Sequence, residues 1–405
     1  MQVRSLTPLN EELRKIAVSQ PLILRAPFDG QHIPTNATEL LLSPYPARLR
    51  LLRLCGATVT QTTSDYEIFV ALCERMPSLF GTSAYAEILR EVELVTGTPI
   101  TLNRENCDLV WKSFADALMD APALLKHLNV KKFVASPRYD APYAPSDMLY
   151  VPDLSDLLAP SARKLRKSII ALSSCTGVSI TSLASFEQAI SRLVSTARSS
   201  GAAAVTLELG MSSFVTPNPY SAEQTLKSVL SGREKDAGIE DLRLLHCQTV
   251  RLICKALRNE KMSLGLSITL PENTRDSSLV AHLLNYLADA DLLPDTDLEA
   301  PCDTLISLAL TDSILLPRLL TVKMPVAPSY AKTVEALTAL AAAVPVIRLS
   351  APRLTSTAQT LMLRKALCQA LSDIAEQGNV GVDITSLSDT VKSFCYRNAA
   401  DFYLG

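Results

Sequence analysis

Two stretches decide the fold: Ala203–Leu209 (AAVTLEL) and Met262–Thr269 (MSLGLSIT). Each is a short, mostly apolar run of strand length, and helical patterns at Ser221–Leu230 and Glu240–Asn259 lie between them. A strand, a helical crossover and a second strand make the unit from which parallel sheets are built. Working outward, Pro21–Ala26, Lys131–Ser136, Asp147–Pro152, Thr304–Leu310, Leu320–Val326 and Val346–Leu349 also read as strands. Further helical patterns fall at Ser185–Ser199, Ser277–Ala288, Tyr330–Ala343 and Thr360–Glu376. Eight strands alternating with helices predict an α/β fold, a (β/α)8 TIM barrel. An open doubly wound sheet is the other arrangement that such alternation allows.

The rhythm is interrupted once. From Ala47 to Leu118 the pattern is helical throughout, with no strand. Ser64 with Glu67 has capping-box spacing and opens a helix running to Met76, before Pro77. Gly56 and Gly97 have the position of C-terminal caps, and Asn103 with Asn106 opens the last helix. The expected organisation is one barrel domain, 1–405, with a helical insertion at 36–126 after the first strand.

Composition excludes several function classes. Of 405 residues, 48% are hydrophobic and 20% charged, which suits a large buried core rather than disorder. Lys and Arg total 39 against 41 Asp and Glu, and no basic stripe is present, so a nucleic-acid partner is not expected. Met1–Lys15 has no apolar core and does not read as a signal peptide. Ser168–Phe186 is the most span-like stretch, but its Ser, Thr and Gly177 content argues against a membrane span. Nine Cys without C-x-x-C spacing read as reduced core thiols, and the expected location is the cytoplasm.

The four histidines, His32, His127, His246 and His282, form no H-x-H or H-x-x-H pair. Neither a G-x-G-x-x-G after a strand, nor a phosphate-binding P-loop, nor a G-x-S-x-G elbow occurs. His246 beside Cys247 looks like a thiol–imidazole pair, but adjacent helical residues point to different faces. The acidic run Asp289, Asp291, Asp295, Asp297 and Glu299 reads as a solvated turn. Arg50 and Arg53, three apart, share a helix face that could clamp an anion.

Scattered framework residues resemble the uronate isomerase family of the metal-dependent amidohydrolase superfamily. Arg50-Leu51-Leu52-Arg53-Leu54-Cys55-Gly56-Ala57 is similar to its W-R-x-M-R-x-N-G-V helix. Tyr85 to Gly97, with Trp111 downstream, is similar to Y-H-W-T-H-L-E-L-x-R-Y-F-G. Leu124 to Val130 is similar to L-L-x-x-x-N-V, and Met262-Ser263-Leu264 through Asn273-Thr274-Arg275 keeps the ends of M-Q-L-H-I-G-A-L-R-N-N-N-T-R. Leu367-Cys368 and the tail Phe394 to Tyr403 resemble L-C and I-C-Y-x-N-A-x-x-Y-F. The resemblance implies a barrel with a helical insertion, a metal site and aldose–ketose isomerisation of glucuronate or galacturonate.

The chemical positions depart from the family. Ala26 and Phe28 replace its H-x-H, and Ala86 to Leu89 replace H-W-T-H. Arg138 and Tyr139 fall in place of the acidic second-strand motif, and Tyr150 to Asp153 replaces F-R-P-D. Glu208 ends the segment in place of S-D-H-A, Ser263 and Gly265 replace Gln and His, and Ser350 replaces the Asp of T-D-S-R, with Arg353 one place late. The expectation is therefore a non-catalytic relative, or pseudoenzyme, without the family's metal or other cofactor, acting as a binding or assembly barrel. Its partner would be a second copy or a paralogue, and its ligand a sugar acid. The alternative is an altered, metal-independent isomerase in which Arg53, Tyr139, Asp153, Glu208 and Arg353 hold the sugar acid. The remnant pocket comprises those five with Ala26, Phe28, Ser263, Gly265 and Ser350.

Overall fold

The computed structural model describes residues 7–25, 34–42, 46–60, 62–119, 126, 128–141, 148–210, 215–232, 237–269, 278–299, 319–323, 334–335, 337–338, 357–377 and 383–404. It divides into two compact units, 1–133 with 326–334 and 351–395, and 134–325 with 335–350 and 396–405.

The first unit begins with helix α1 (Pro8–Ser19), which the sequence reading did not anticipate. Thr7 caps it through its side chain, Pro8 fits the first turn, and Leu13 and Ala17 are buried. Strand β1 (Leu22–Arg25) follows, and Leu22 N–H donates to Asn129 O at 2.9 Å. The helical block then comprises α2 (Ala37–Leu41), α3 (Pro46–Leu54), α4 (Asp65–Arg75), α5 (Ser83–Thr96) and α6 (Cys107–Met119). Its boundaries follow the expected signals. Ser64 and Glu67 make the reciprocal capping box, and Gly97 closes α5 in the left-handed region at φ 73°. Leu52, Phe69, Leu72, Val92, Val110 and Phe114 fill one apolar core between these helices. Arg48 is buried there too, bound to Glu91 at 2.9 Å, to Glu87 at 2.9 Å and to Leu41 O at 2.7 Å.

Strand β2 (Val130–Ala135) leads into the second unit, which continues through β3 (Met148–Tyr150), α7 (Ala162–Thr176), α8 (Leu183–Ser199), β4 (Ala204–Gly210), α9 (Pro219–Leu230), α10 (Ile239–Glu260), β5 (Ser263–Thr269), α11 (Ser278–Asp289), β6 (Thr296–Glu299) and β7 (Leu319–Lys323). Strands β4 to β7 pair in chain order, and all three pairings are parallel. The chain after β3 joins this sheet to the end of β2. Asp153 bridges Arg138 on one side and Thr206 on the other, both in parallel. Among the described strands no switch point of a doubly wound sheet occurs.

One expectation is corrected. A strand stands at Thr296–Glu299, so Asp297 and Glu299 are not in a solvated turn, and Asp297 is buried at 4% exposure. Its flanking Thr296 and Leu298 are fully buried, and their packing holds the acidic strand in place. The candidate strands Thr304–Leu310 and Val346–Leu349 lie outside the described residues, as does most of Tyr330–Ala343. The chain also returns to the first unit through α12 (Thr357–Glu376) and α13 (Ile384–Lys392), followed by a π-helical turn at Ser393–Arg397; α14 (Asn398–Leu404) belongs to the second unit.

In the first unit α12 carries Arg364, 2% exposed and without a carboxylate on its guanidinium among the described residues. Its two terminal nitrogens instead donate to four carbonyls: Ala17 at 2.9 Å, Gln20 at 2.7 Å, Pro21 at 2.8 Å and Cys395 at 2.9 Å. The first two close the C-terminal end of α1, where the helix dipole favours a cation. Cys395 lies inside the π-helical turn. Asn10 with Gln369 and Thr7 with Ser372 add two more bonds between α1 and α12. Among the described residues no helix is long and apolar enough to cross a membrane.

Candidate functional site

Strand register gathers part of the expected site on one side of the sheet of the second unit. Partners across a parallel ladder share a face, and alternate residues along a strand switch faces. Arg138, Asp153, Thr206, Gly265 and Asp297 are successive partners from the chain just after β2 to β6 and form one level. Ser263, opposite Ala204, lies one repeat before that level, and Glu208, opposite Ser267, one repeat after it. Asp153, Glu208, Ser263 and Gly265 therefore share a face. The opposite face carries Val205, Leu207, Leu209, Leu264, Leu266 and Ile268, all at 4% exposure or less. One face is an apolar core, while the other is small and polar and runs from buried Ala204 and Asp297 to exposed Glu208.

The groups on the polar face hold one another. Asp153 Oδ1 accepts from Ser155 N–H at 2.9 Å and from the Ser155 hydroxyl. Ser155 Oγ in turn accepts from Glu208 N–H at 2.8 Å, which anchors the end of β4. Glu208 is exposed. Arg138, half exposed, is clamped by Asp140 and reaches Asp156 at 3.3 Å. These bonds raise the Arg138 guanidinium above its usual range and hold the Asp140 carboxyl below its own.

Gly265 makes the face close-packed. A Cβ built there would stand 3.2 Å from Thr206 Cγ2 and 3.5 Å from Val205 O. Gly265→Ala is expected to cost on the order of 1 kcal/mol through this overpacking. Adding Thr206→Ser, which removes the offending methyl, should recover most of it in a denaturation series. A single Gly265→Ala as stable as the native chain would show that the face has room.

Tyr139 is brought elsewhere. It is 4% exposed, and its hydroxyl donates to Ser168 O of α7 at 2.7 Å. Burial raises this phenol, with Asp140 adding to the effect and Arg138 opposing it. The hydroxyl is committed to packing, so Tyr139→Phe is expected to lose about 1 kcal/mol of stability. Arg53 ends α3 in the first unit, exposed, with its Nε donating to Val59 O at 3.2 Å. Ala26, Phe28, Ser350 and Arg353 lie outside the described residues, as do His32 and His127. His246 lies in α10, where Nε2 meets Ala159 O at 3.2 Å, and burial pushes its imidazole down to about 4. His282 is exposed on α11.

Sequence reasoning had not placed Arg138, Ser155, Thr206 and Asp297 on this face. The signal was the strand parity, readable only once the register is known. A separate pocket of about 220 Å³ opens between Tyr139, Tyr150, Cys175, Leu193 and Thr196.

These elements define a class: a parallel α/β fold with a helical block between its first two strands. Two solved isomerases share it. Uronate isomerase from Thermotoga maritima matches with a TM-score of 0.80 over 98% of both chains, at 14% identity. Glucuronate isomerase from Caulobacter crescentus matches with a TM-score of 0.77 over 98% of this chain and 94% of the other, also at 14% identity. No family model matches the sequence, and no curated protein does. The chain has the uronate isomerase fold.

Proposed function

We propose that this chain is a uronate isomerase-like (β/α)8 barrel relieved of catalysis, which binds a polyhydroxylated sugar acid or assembles with a second copy or a paralogue. The barrel reading rests on strands that pair in chain order and on the fold's solved relatives. The observation that carries the functional reading is the chemistry of the polar face. Thr206, Ser263 and Gly265 offer hydroxyls or nothing, and Asp153 is tied to Ser155. Two of the four imidazoles stand on helices instead, His246 and His282.

A divalent metal of the kind the resemblance implies needs imidazole and carboxylate lone pairs, and this face offers no imidazole among the described residues, only the carboxylates of Asp153, Asp297 and Glu208, the first of them tied to Ser155. Moving a proton between aldose and ketose forms needs a base and a group that polarises the carbonyl. Among the described residues of this face the candidate bases are carboxylates, with no imidazole beside them, and the Arg138 guanidinium is taken up by Asp140 and Asp156. Fold and function part here.

Glu208 favours one second reading, because an exposed carboxylate at the end of β4 has the place of a barrel base. The test is incubation of the purified protein with glucuronate and galacturonate, with and without zinc or manganese, followed by ketose detection. No conversion is expected under any condition. Metal-dependent conversion would overturn the proposal, and metal-free conversion abolished by Glu208→Gln would establish the second reading in its place.

A further inference from the structure

Helix α7 carries Arg163, Lys164, Arg166 and Lys167 and no acidic residue. Its apolar side is fully used, with Ala162, Leu165, Ile169 and Leu172 buried. The opposite side is open. Arg163, Lys167, Ile170 and Ser174, at spacings of four, three and four, form one stripe, and all four are exposed. Lys164 is exposed beside the stripe, and Ile170 keeps 52% of its surface in water. None of the four cations has an ion pair among the described residues. Arg166 lies at the edge, against the turn that follows α9, where a Cβ on Gly232 would stand 2.8 Å from its Nη1. This short basic stripe corrects the expectation that the chain has none.

Within the chain the arrangement is unfavourable. Arg163 and Lys164 stand in the first turn, where the helix dipole is positive and acids are preferred. Arg163 with Lys167, Arg163 with Arg166 and Lys164 with Lys167 are like-charge pairs at helical spacing, and each is destabilising. An external array of anions relieves both effects. We propose that the exposed side of α7 is a peripheral docking surface for an anionic lipid bilayer. This goes beyond the barrel reading and does not depend on it. The helix, about 22 Å long, lies along the membrane plane. Its Lys and Arg heads meet lipid phosphates, and Ile170 enters the boundary between headgroups and acyl chains.

The composition of the stripe selects a lipid surface among anionic partners. A nucleic-acid backbone has no use for an exposed isoleucine in line with the cations, and this side of the helix has no aromatic ring for a base to stack on. A protein partner would need a groove shaped to a convex helix, whereas dispersed headgroups need only charge. The chain as a whole has a net charge of -2, so the attraction is confined to this face rather than spread over the molecule. The contact is superficial, since no described helix is long and apolar enough to cross the bilayer.

The experiment sediments the full-length protein with vesicles of phosphatidylcholine alone and of phosphatidylcholine with one-third phosphatidylglycerol. Binding to the anionic vesicles at low salt, release at high salt and no binding to the neutral ones are expected. Each cation removed should weaken the binding about fivefold, so Arg163→Gln, Lys164→Gln and Lys167→Gln together should weaken it on the order of a hundredfold. These side chains are exposed, so the triple variant should unfold at the same temperature as the native chain. Ile170→Ser should weaken binding to vesicles and leave binding to polyphosphate beads unchanged. The proposal is overturned if the protein does not sediment with anionic vesicles at low salt, if it sediments equally with neutral ones, or if the triple variant binds as the native chain does. Polyphosphate binding without vesicle binding would give the face to a soluble polyanion. Self-association that the triple variant abolishes, again without vesicle binding, would give it to a second copy.

Discussion

Replacing Arg364 by Met is expected to destabilise the first unit by about 4 kcal/mol, the range for removing one partner from a buried charged network. The reason lies in what remains. Four carbonyls, of Ala17, Gln20, Pro21 and Cys395, lose the guanidinium donor, at contacts that are buried for Ala17 and Cys395 and part-buried for Gln20 and Pro21. Methionine fills much of the volume, so the loss reports polar satisfaction rather than a cavity. Arg364→Lys should recover only part of it, since one compact ammonium cannot reach four carbonyls with a planar fork. Trp111, the single tryptophan, packs against Tyr66 and Phe69 in the same unit and serves as the fluorescence probe of unfolding. A Met variant within about 1 kcal/mol of the native chain would show that the four carbonyls find other donors.

The second large effect is a pair of opposite pH slopes. Burial pushes the Glu91 carboxyl from its usual 4.5 up to about 7, Glu87 adds to the rise, and Arg48 opposes it. A raised acid binds more protons folded than unfolded. Its contribution is fully present below about 4.5 and lost as pH rises through about 7. Burial lowers the His246 imidazole from 6.5 to about 4, against the pull of Ala159 O. That contribution is present above 6.5 and lost as pH falls through about 4. Each shift corresponds to roughly 3 kcal/mol at most, and less for His246, which is partly exposed.

Stability read from Trp111 should therefore fall between pH 4.5 and 7, and Glu91→Gln should flatten it. Stability read from amide exchange in α10, corrected for intrinsic rates, should rise over pH 4 to 6.5, and His246→Gln should flatten that. Slopes of the same sign at both probes would contradict the assignment.

Much of the helical block was readable because its signals are local. Ser64 and Glu67 need only each other, and Gly97 needs only a left-handed residue after a helix. Helix α1 was missed although Thr7-Pro8 is a fair starting signal. Its apolar stripe is narrow, and Glu11, Glu12, Arg14 and Lys15 dominate its composition. Strand β6 was missed because Asp297 and Glu299 take half of its four positions, so no apolar run stands out.

In the site, Asp153, Glu208, Ser263 and Gly265 came from aligned family positions. Their common face did not, since register is a property of pairing between distant segments. Tyr139 shows the reverse case: the residue was noticed, but its hydroxyl is held by Ser168 O, a partner that no local spacing reveals. Arg364 was unreadable, because its partners are backbone carbonyls up to 347 positions away.

That distance matters during synthesis. Translation at about 5–20 residues per second puts on the order of twenty seconds to a minute between the emergence of Ala17 and that of Arg364. For that interval the nascent α1 has neither the cation that closes its last turn nor the α12 side chains, Gln369 and Ser372, that bond to Asn10 and Thr7. Helix α1 thus leaves the ribosome well before the partner that secures it, and a chaperone that shields nascent chains would find a long-lived client site there.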